Sequence, residues 1–142
     1  MKQWAVGSKL HNREEFIMAN SYKDLLVYQK AFELQQEIFE LTKTFPKEET
    51  YSLTDQIRRS SRSIGANIAE AWRKRRYIAH FVSKLTDSDG ELAETQHWLN
   101  TAFACCYITN EKQSYLLNKS EEVGKMLGNI ISKPERWCNN LK

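Results

Sequence analysis

A chain of 142 residues with net charge +3 and a pI near 8.7 is long enough for one domain with its own core, and too weakly basic for a protein that coats nucleic acid. Two prolines and five glycines are few for a β-rich or loop-rich protein. No apolar run reaches the roughly 18 residues a membrane-spanning helix needs, so an all-α chain without membrane contact is expected.

The first 20 residues carry no sustained period and mix charge signs, so they read as a loose extension before a domain over 21–142. Their charges and short apolar length do not fit a secretory signal, and Met18, just ahead of the helical pattern, reads as an alternative start. The expected location is cytoplasmic. Three cysteines, Cys105, Cys106 and Cys138, make an odd set without framework spacing, which fits reduced thiols and no disulfide.

Ser21 with Asp24 three residues on resembles a capped helix start. Val27, Ala31, Leu34, Ile38, Leu41 and Phe45 then alternate spacings of four and three, the seam of a left-handed bundle. Leu25, Tyr28, Phe32 and Phe39 add a second apolar face, wide enough to imply either a broad core or contact with another subunit. Pro46 breaks the pattern.

The next helix, Ser52 to Arg76, does the most. Ser52 with Asp55 caps it, and Leu53, Ile57, Ile64, Ile68 and Trp72 form a core stripe. Gln56, Arg59, Ser63, Asn67 and Glu70 make a polar stripe beside it, while Ser61, Gly65 and Ala69 leave the other flank open to a close-packed neighbour. The stretch holds seven basic residues (Arg58, Arg59, Arg62, Arg73, Lys74, Arg75, Arg76) against Asp55 and Glu70, an excess larger than the whole chain's +3, so the remainder is net acidic.

The third helix starts after Tyr77, with Ile78, Leu85, Leu92, Leu99 and Cys106 at sevens and Phe81, Val82, Ala102 and Phe103 between them. Asp87-Ser88-Asp89-Gly90 has turn composition, yet heptad phase survives it, so one continuous helix of about 30 residues is expected. Asn110 and Gln113 mark the start of the fourth helix; Leu116, Val123, Ile130 and Trp137 again fall at sevens, with Pro134 ending it. Short connections make the four an up-down-up-down bundle.

No catalytic constellation is present: the sequence contains no phosphate-cradling glycine loop, nucleophile elbow or Ser/His/Asp grouping. Glu94 and His97 have the Glu-x-x-His spacing of di-iron bundles, but no second copy exists, and they lie roughly 200° and 140° from the Leu85-Leu92-Leu99 seam. Cys105, Cys106, Cys138 and His97 lack zinc-ligand gaps, so no metal and no cofactor are expected. Arg58 and Arg62, one turn apart, read as a phosphate-facing pair, and Arg73, Lys74, Arg75 and Arg76 as a second nucleic-acid-binding cluster; the ordinary alternative for all six is solvation or pairing with glutamates.

SYKDLLVYQKA, QIRRSSRSIGANIAEA, SDGEL and TQHWL occur in order from Ser21 onward, and Tyr22–Ile131 resembles the bacterial four-helix-bundle family associated with intervening sequences in 23S ribosomal RNA genes, related to accessory proteins of diversity-generating retroelements. Ala71 departs from the family's usual glycine, and Asp89-Gly90 lies inside its Ser-x-x-Glu segment. The resemblance implies a cytoplasmic, cofactor-free homopentamer around a central channel and no enzyme, with RNA or DNA and a reverse transcriptase as partners of the retroelement relatives. Arg59, Asn67, Glu70, Ser88 and Glu91 match its polar signature positions and are expected to form a structural hydrogen-bond network. Two readings stand: an oligomeric scaffold that binds nucleic acid or a nucleic-acid enzyme through charge, and a self-assembling module with protein partners alone.

Overall fold

A computed structural model describes residues 19–138, which form α1 (Leu26–Thr42), α2 (Leu53–Arg73), α3 (Ile78–Ala104) and α4 (Asn110–Ser132). Single 3-10 turns lie at Tyr22–Asp24, Lys47–Glu49 and Pro134–Arg136, and no strand occurs among the described residues. The extension expected before residue 21 falls, up to Met18, outside the described residues. Each helix packs on its neighbours in the order α1, α2, α3, α4 and back to α1. The cross-helix pairs run in opposite senses: Ser60 with Thr95, Ile64 with Ser88 and Glu70 with Lys84 make α2 and α3 antiparallel. The protein is thus an all-α, up-down-up-down four-helix bundle, and no described helix is long and apolar enough to cross a membrane.

The seams read from the sequence form the core. Ala31, Leu34, Ile38, Ile57, Ile64 and Leu99 are fully buried, and Leu53, Ile68, Trp72, Leu85, Leu92, Leu116, Val123, Leu127 and Ile130 are at most 5 % exposed. Some positions differ: Leu41 is only partly buried, Ile78 and Phe103 are 47 % and 39 % exposed, and Cys106 lies beyond the helix end.

α3 runs unbroken through Asp87-Ser88-Asp89-Gly90. Ser88, buried, donates its hydroxyl to the Ile64 carbonyl at 2.8 Å, so the residue that looks like a turn former is spent on the α2 contact instead. Leu85 and Leu92 then stay in phase on either side. At its other end α3 closes in a Schellman cap: Tyr107 N–H reaches Ala102 O and Cys106 N–H reaches Phe103 O, both at 2.9 Å. Cys106 takes the left-handed position (φ 65°) that glycine usually fills.

Two helix starts differ from expectation, while the fourth helix begins at Asn110 as the sequence suggests. Ser21 caps only the 3-10 turn; Asp24 accepts from Asn20 N–H, Leu25 stays extended, and α1 begins at Leu26, an arrangement that lets both Leu25 and Val27 enter the core. The Ser52 side chain makes no cap, and the Glu49 carboxylate accepts from Leu53 N–H at 3.1 Å in its place. At α4 the cap is Thr109, whose hydroxyl accepts from Lys112 N–H, one residue earlier than Asn110. The same Glu49 carboxylate accepts from the Tyr107 hydroxyl at 2.8 Å, tying the α1–α2 connection to the α3–α4 connection.

Gly65 faces its own chain. A Cβ there would sit 3.5 Å from Tyr28 Cε1, so the close-packed neighbour of this small position of α2 is α1 of the same bundle.

Candidate nucleic-acid interface

Antiparallel order gathers the end of α2, the start of α3 and the Pro134–Arg136 turn at one end of the bundle. Arg73, Lys74 and Arg76 are exposed there. Arg76 carries its guanidinium 5.9 Å from the ring centre of Tyr77, itself 56 % exposed and edge-on to His80 at 5.2 Å. Lys133 and Arg136, on the segment that leaves α4, are exposed as well. Cations interleaved with an accessible aromatic ring match what single-stranded nucleic acid uses, charge for the backbone and a flat face for a base.

Arg75 does not share that exposure. Its Nε donates to the Trp72 carbonyl at 2.7 Å and its guanidinium lies 3.4 Å from the centre of the Trp72 ring. Burial pushes the group below the ordinary arginine value, though not far enough to discharge it, and burial likewise pushes the neighbouring Cys138 thiol up. The four consecutive cations thus divide into one that packs the bundle end and three that reach water.

Arg58 and Arg62 stand on a separate surface. Fifteen residues separate Arg58 from Arg73, about 22 Å along α2. Both turn toward Phe39 of α1, with guanidinium carbons 4.7 Å and 5.5 Å from the ring centre, and Lys43 Nζ approaches the same ring at 4.8 Å. Arg58 Nε also donates to Thr42 Oγ1 at 2.8 Å. Phe39 and Lys43 were not legible as partners of these arginines. Their own spacing of one helical turn was visible, but only the fold of the α1–α2 connection brings them opposite Arg58.

The five polar positions do not form one network. Arg59 pairs with Glu91 at 3.2 Å and also with Glu94, which further accepts from Trp98 Nε1 at 3.1 Å. Asn67 Nδ2 donates to the Ser63 carbonyl within its own helix, and Glu70 pairs with Lys84 at 2.7 Å while 55 % exposed, so Asn67 and Glu70 are not bonded to each other. Ser88 is the buried member. The signature positions are therefore four separate contacts, three between α2 and α3 and one within α2. An exposed pair such as Glu70–Lys84 is screened by solvent and contributes less than the buried network expected from the sequence would lose on breaking.

In the sequence Glu94 has the spacing of a metal ligand with His97, but its place one turn from Glu91 is the signal for its contact with Arg59. That hydrogen bond, with the one from Trp98, holds its carboxyl below the usual glutamate range. His97 is exposed and packs edge-on to Trp98. Among the described residues no group of three or more His, Cys, Asp or Glu is arranged to hold a metal ion.

A family model described as 23S rRNA-intervening sequence protein matches residues 23–129. Among solved structures, one from Bacteroides thetaiotaomicron, described as a protein with unknown function from the S23 ribosomal protein family, superposes with a TM-score of 0.70 at 36 % identity, covering 76 % of this chain and 96 % of that one. No curated protein matches. Family pattern and relative agree on the same four-helix fold, and the chain belongs to the 23S rRNA-intervening sequence protein family.

Proposed function

We propose that this protein is a non-enzymatic, self-assembling helical scaffold that binds RNA or DNA through the basic end of its bundle. The observation that carries the reading is the presentation of Arg73, Lys74 and Arg76 beside exposed Tyr77 and His80, with Lys133 and Arg136 from the last described turn at the same end. A helix C-terminus favours cations through its dipole, but that accounts for one or two charges in the last turn and not for aromatic side chains left in water. Binding is by charge and stacking and is indifferent to sequence, since no groove-reading motif is present.

The test is fluorescence anisotropy with a short labelled single-stranded RNA across a salt series. Arg73→Gln/Lys74→Gln/Arg76→Gln should lower affinity and flatten the dependence of log K on log salt by about 0.7 for each phosphate no longer neutralised, with the helical content unchanged. Arg75 is left in place because its substitution would disturb the packing on Trp72. If the parent protein shows no binding at low salt, or the variant keeps its slope, the protein acts through protein partners alone.

A further inference from the structure

We infer that Lys43, Arg58 and Arg62, gathered around Phe39, form a second anion site that takes phosphate groups, remote from the basic end and independent of it. Three cations within 5.5 Å of one ring centre lie within about 10 Å of one another, close enough to repel, with Arg58 and Phe39 half-buried and Lys43 and Arg62 exposed. The only carboxylate paired into the cluster by a described residue is Glu40, 3.2 Å from Lys43, leaving two positive charges uncompensated. Arg62 makes neither a hydrogen bond nor an ion pair with any described residue.

Ordinary structural roles account for part of this. Lys43 is the C-cap of α1, where a cation suits the helix dipole. Arg58 and Arg62 lie inside α2, far from its C-terminus; both share the ring face with Lys43, and only Arg58 adds a hydrogen bond, to Thr42.

Arg58 is also held in position. Thr42 Oγ1 donates to the Phe39 carbonyl at 2.8 Å and accepts from Arg58 Nε, so the hydroxyl fixes the guanidinium by one edge and leaves its terminal NH2 groups directed elsewhere. A fixed guanidinium, a second one a turn away and an ammonium across the ring together make a set of donors suited to a ligand carrying at least two negative charges in a small volume. Phosphate chemistry meets that requirement, either as consecutive groups of a nucleic-acid backbone or as a free phosphorylated compound.

The experiment uses the full chain and four proteins: the parent, Arg58→Gln/Arg62→Gln, Thr42→Val, and the Arg73→Gln/Lys74→Gln/Arg76→Gln variant. Inorganic pyrophosphate, titrated against sodium chloride at equal ionic strength, should raise the Tm of the parent and of the basic-end variant, and should fail to raise that of Arg58→Gln/Arg62→Gln. Thr42→Val keeps every charge but releases Arg58, and should weaken pyrophosphate binding several-fold. An equal response in all four proteins overturns the site, as does loss of assembly mass in Arg58→Gln/Arg62→Gln, which would assign these cations to carboxylates of a second copy. RNA anisotropy then separates the two sources. A flatter salt slope in Arg58→Gln/Arg62→Gln identifies a nucleic-acid backbone, and an unchanged slope beside a lost pyrophosphate response identifies a free phosphorylated compound. Failure of the basic-end reading appears instead in the Arg73→Gln/Lys74→Gln/Arg76→Gln protein and leaves the pyrophosphate result standing.

Discussion

At the scale of single residues, Gly65 shows how a small side chain acquires its meaning from its neighbour. It lies inside α2, is buried, and faces Tyr28 of α1. Glycine costs a helix interior about 0.5–1 kcal/mol relative to alanine. The space opposite is enough for one methyl group, since a Cβ would make ordinary contacts at 3.5 and 3.8 Å with the Tyr28 ring and 4.0 Å with Gln35 Oε1. Gly65→Ala is therefore expected to stabilise the fold by about 0.5–1 kcal/mol. Gly65→Leu must displace Tyr28 and should cost about 1–3 kcal/mol. Urea denaturation of the two variants checks both signs; destabilisation by alanine would show that the α1–α2 contact has no slack.

At the scale of elements, periodicity was sufficient for the helices and insufficient for what joins them. Leu85, Leu92 and Leu99 hold their phase across a turn-like tetrapeptide because burial of three leucines outweighs the local preference of Ser88 and Gly90. Glu49 could not be found in the same way. It lies outside any periodic segment, and its two contacts, Leu53 N–H and the Tyr107 hydroxyl, exist only once both connections meet at one end. The same limit applies to the candidate sites: the basic residues of α2 were legible as a set, whereas the inward turn of Arg75 and the ring shared by Lys43, Arg58 and Arg62 depend on side chains from other elements. The Glu49 clamp has a pH signature. Its carboxylate, accepting from the phenol, pushes Tyr107 from 10.0 up to about 12. A group raised in the folded state contributes stability in full below its unfolded value and loses it as pH climbs through the folded one. Tyr107→Phe should therefore lower the urea midpoint near neutral pH, and the gap between parent and variant should close between about pH 10 and pH 12. A gap that persists unchanged across that window would show that the hydrogen bond to Glu49 does not carry the difference, since phenylalanine keeps the ring contact with Phe45, 5.7 Å between centres.

At the scale of the whole molecule, the ring of four helices buries its seams but leaves Phe32 of α1 exposed at the end of an aromatic row whose other members are half-buried. Tyr22 meets Tyr28 edge-on at 4.9 Å, and Tyr28 stacks on Phe32 at 6.2 Å, with Phe32 45 % exposed. A solitary bundle gains little from extending such a row into water, whereas a neighbouring copy would cover it. We therefore expect the mass in solution to exceed 16.7 kDa, with the pentamer that the family resemblance implies as the specific value, and Phe32→Glu to lower it without loss of helical signal. Light scattering that finds a monomer at micromolar concentration would remove this expectation. Assembly also bears on the basic end. Repeating Arg73, Lys74 and Arg76 around an oligomer turns contacts that are weak singly into multivalent ones, because after the first bundle end engages a strand the next one meets it at high effective concentration. Phe32→Glu alters none of these cations, yet it should weaken RNA binding in step with the drop in mass, and a short RNA that reaches only one bundle end should be affected less than a long one. Equal affinity of the parent and the dissociated variant for long RNA would mean that each bundle binds on its own and that assembly serves another purpose.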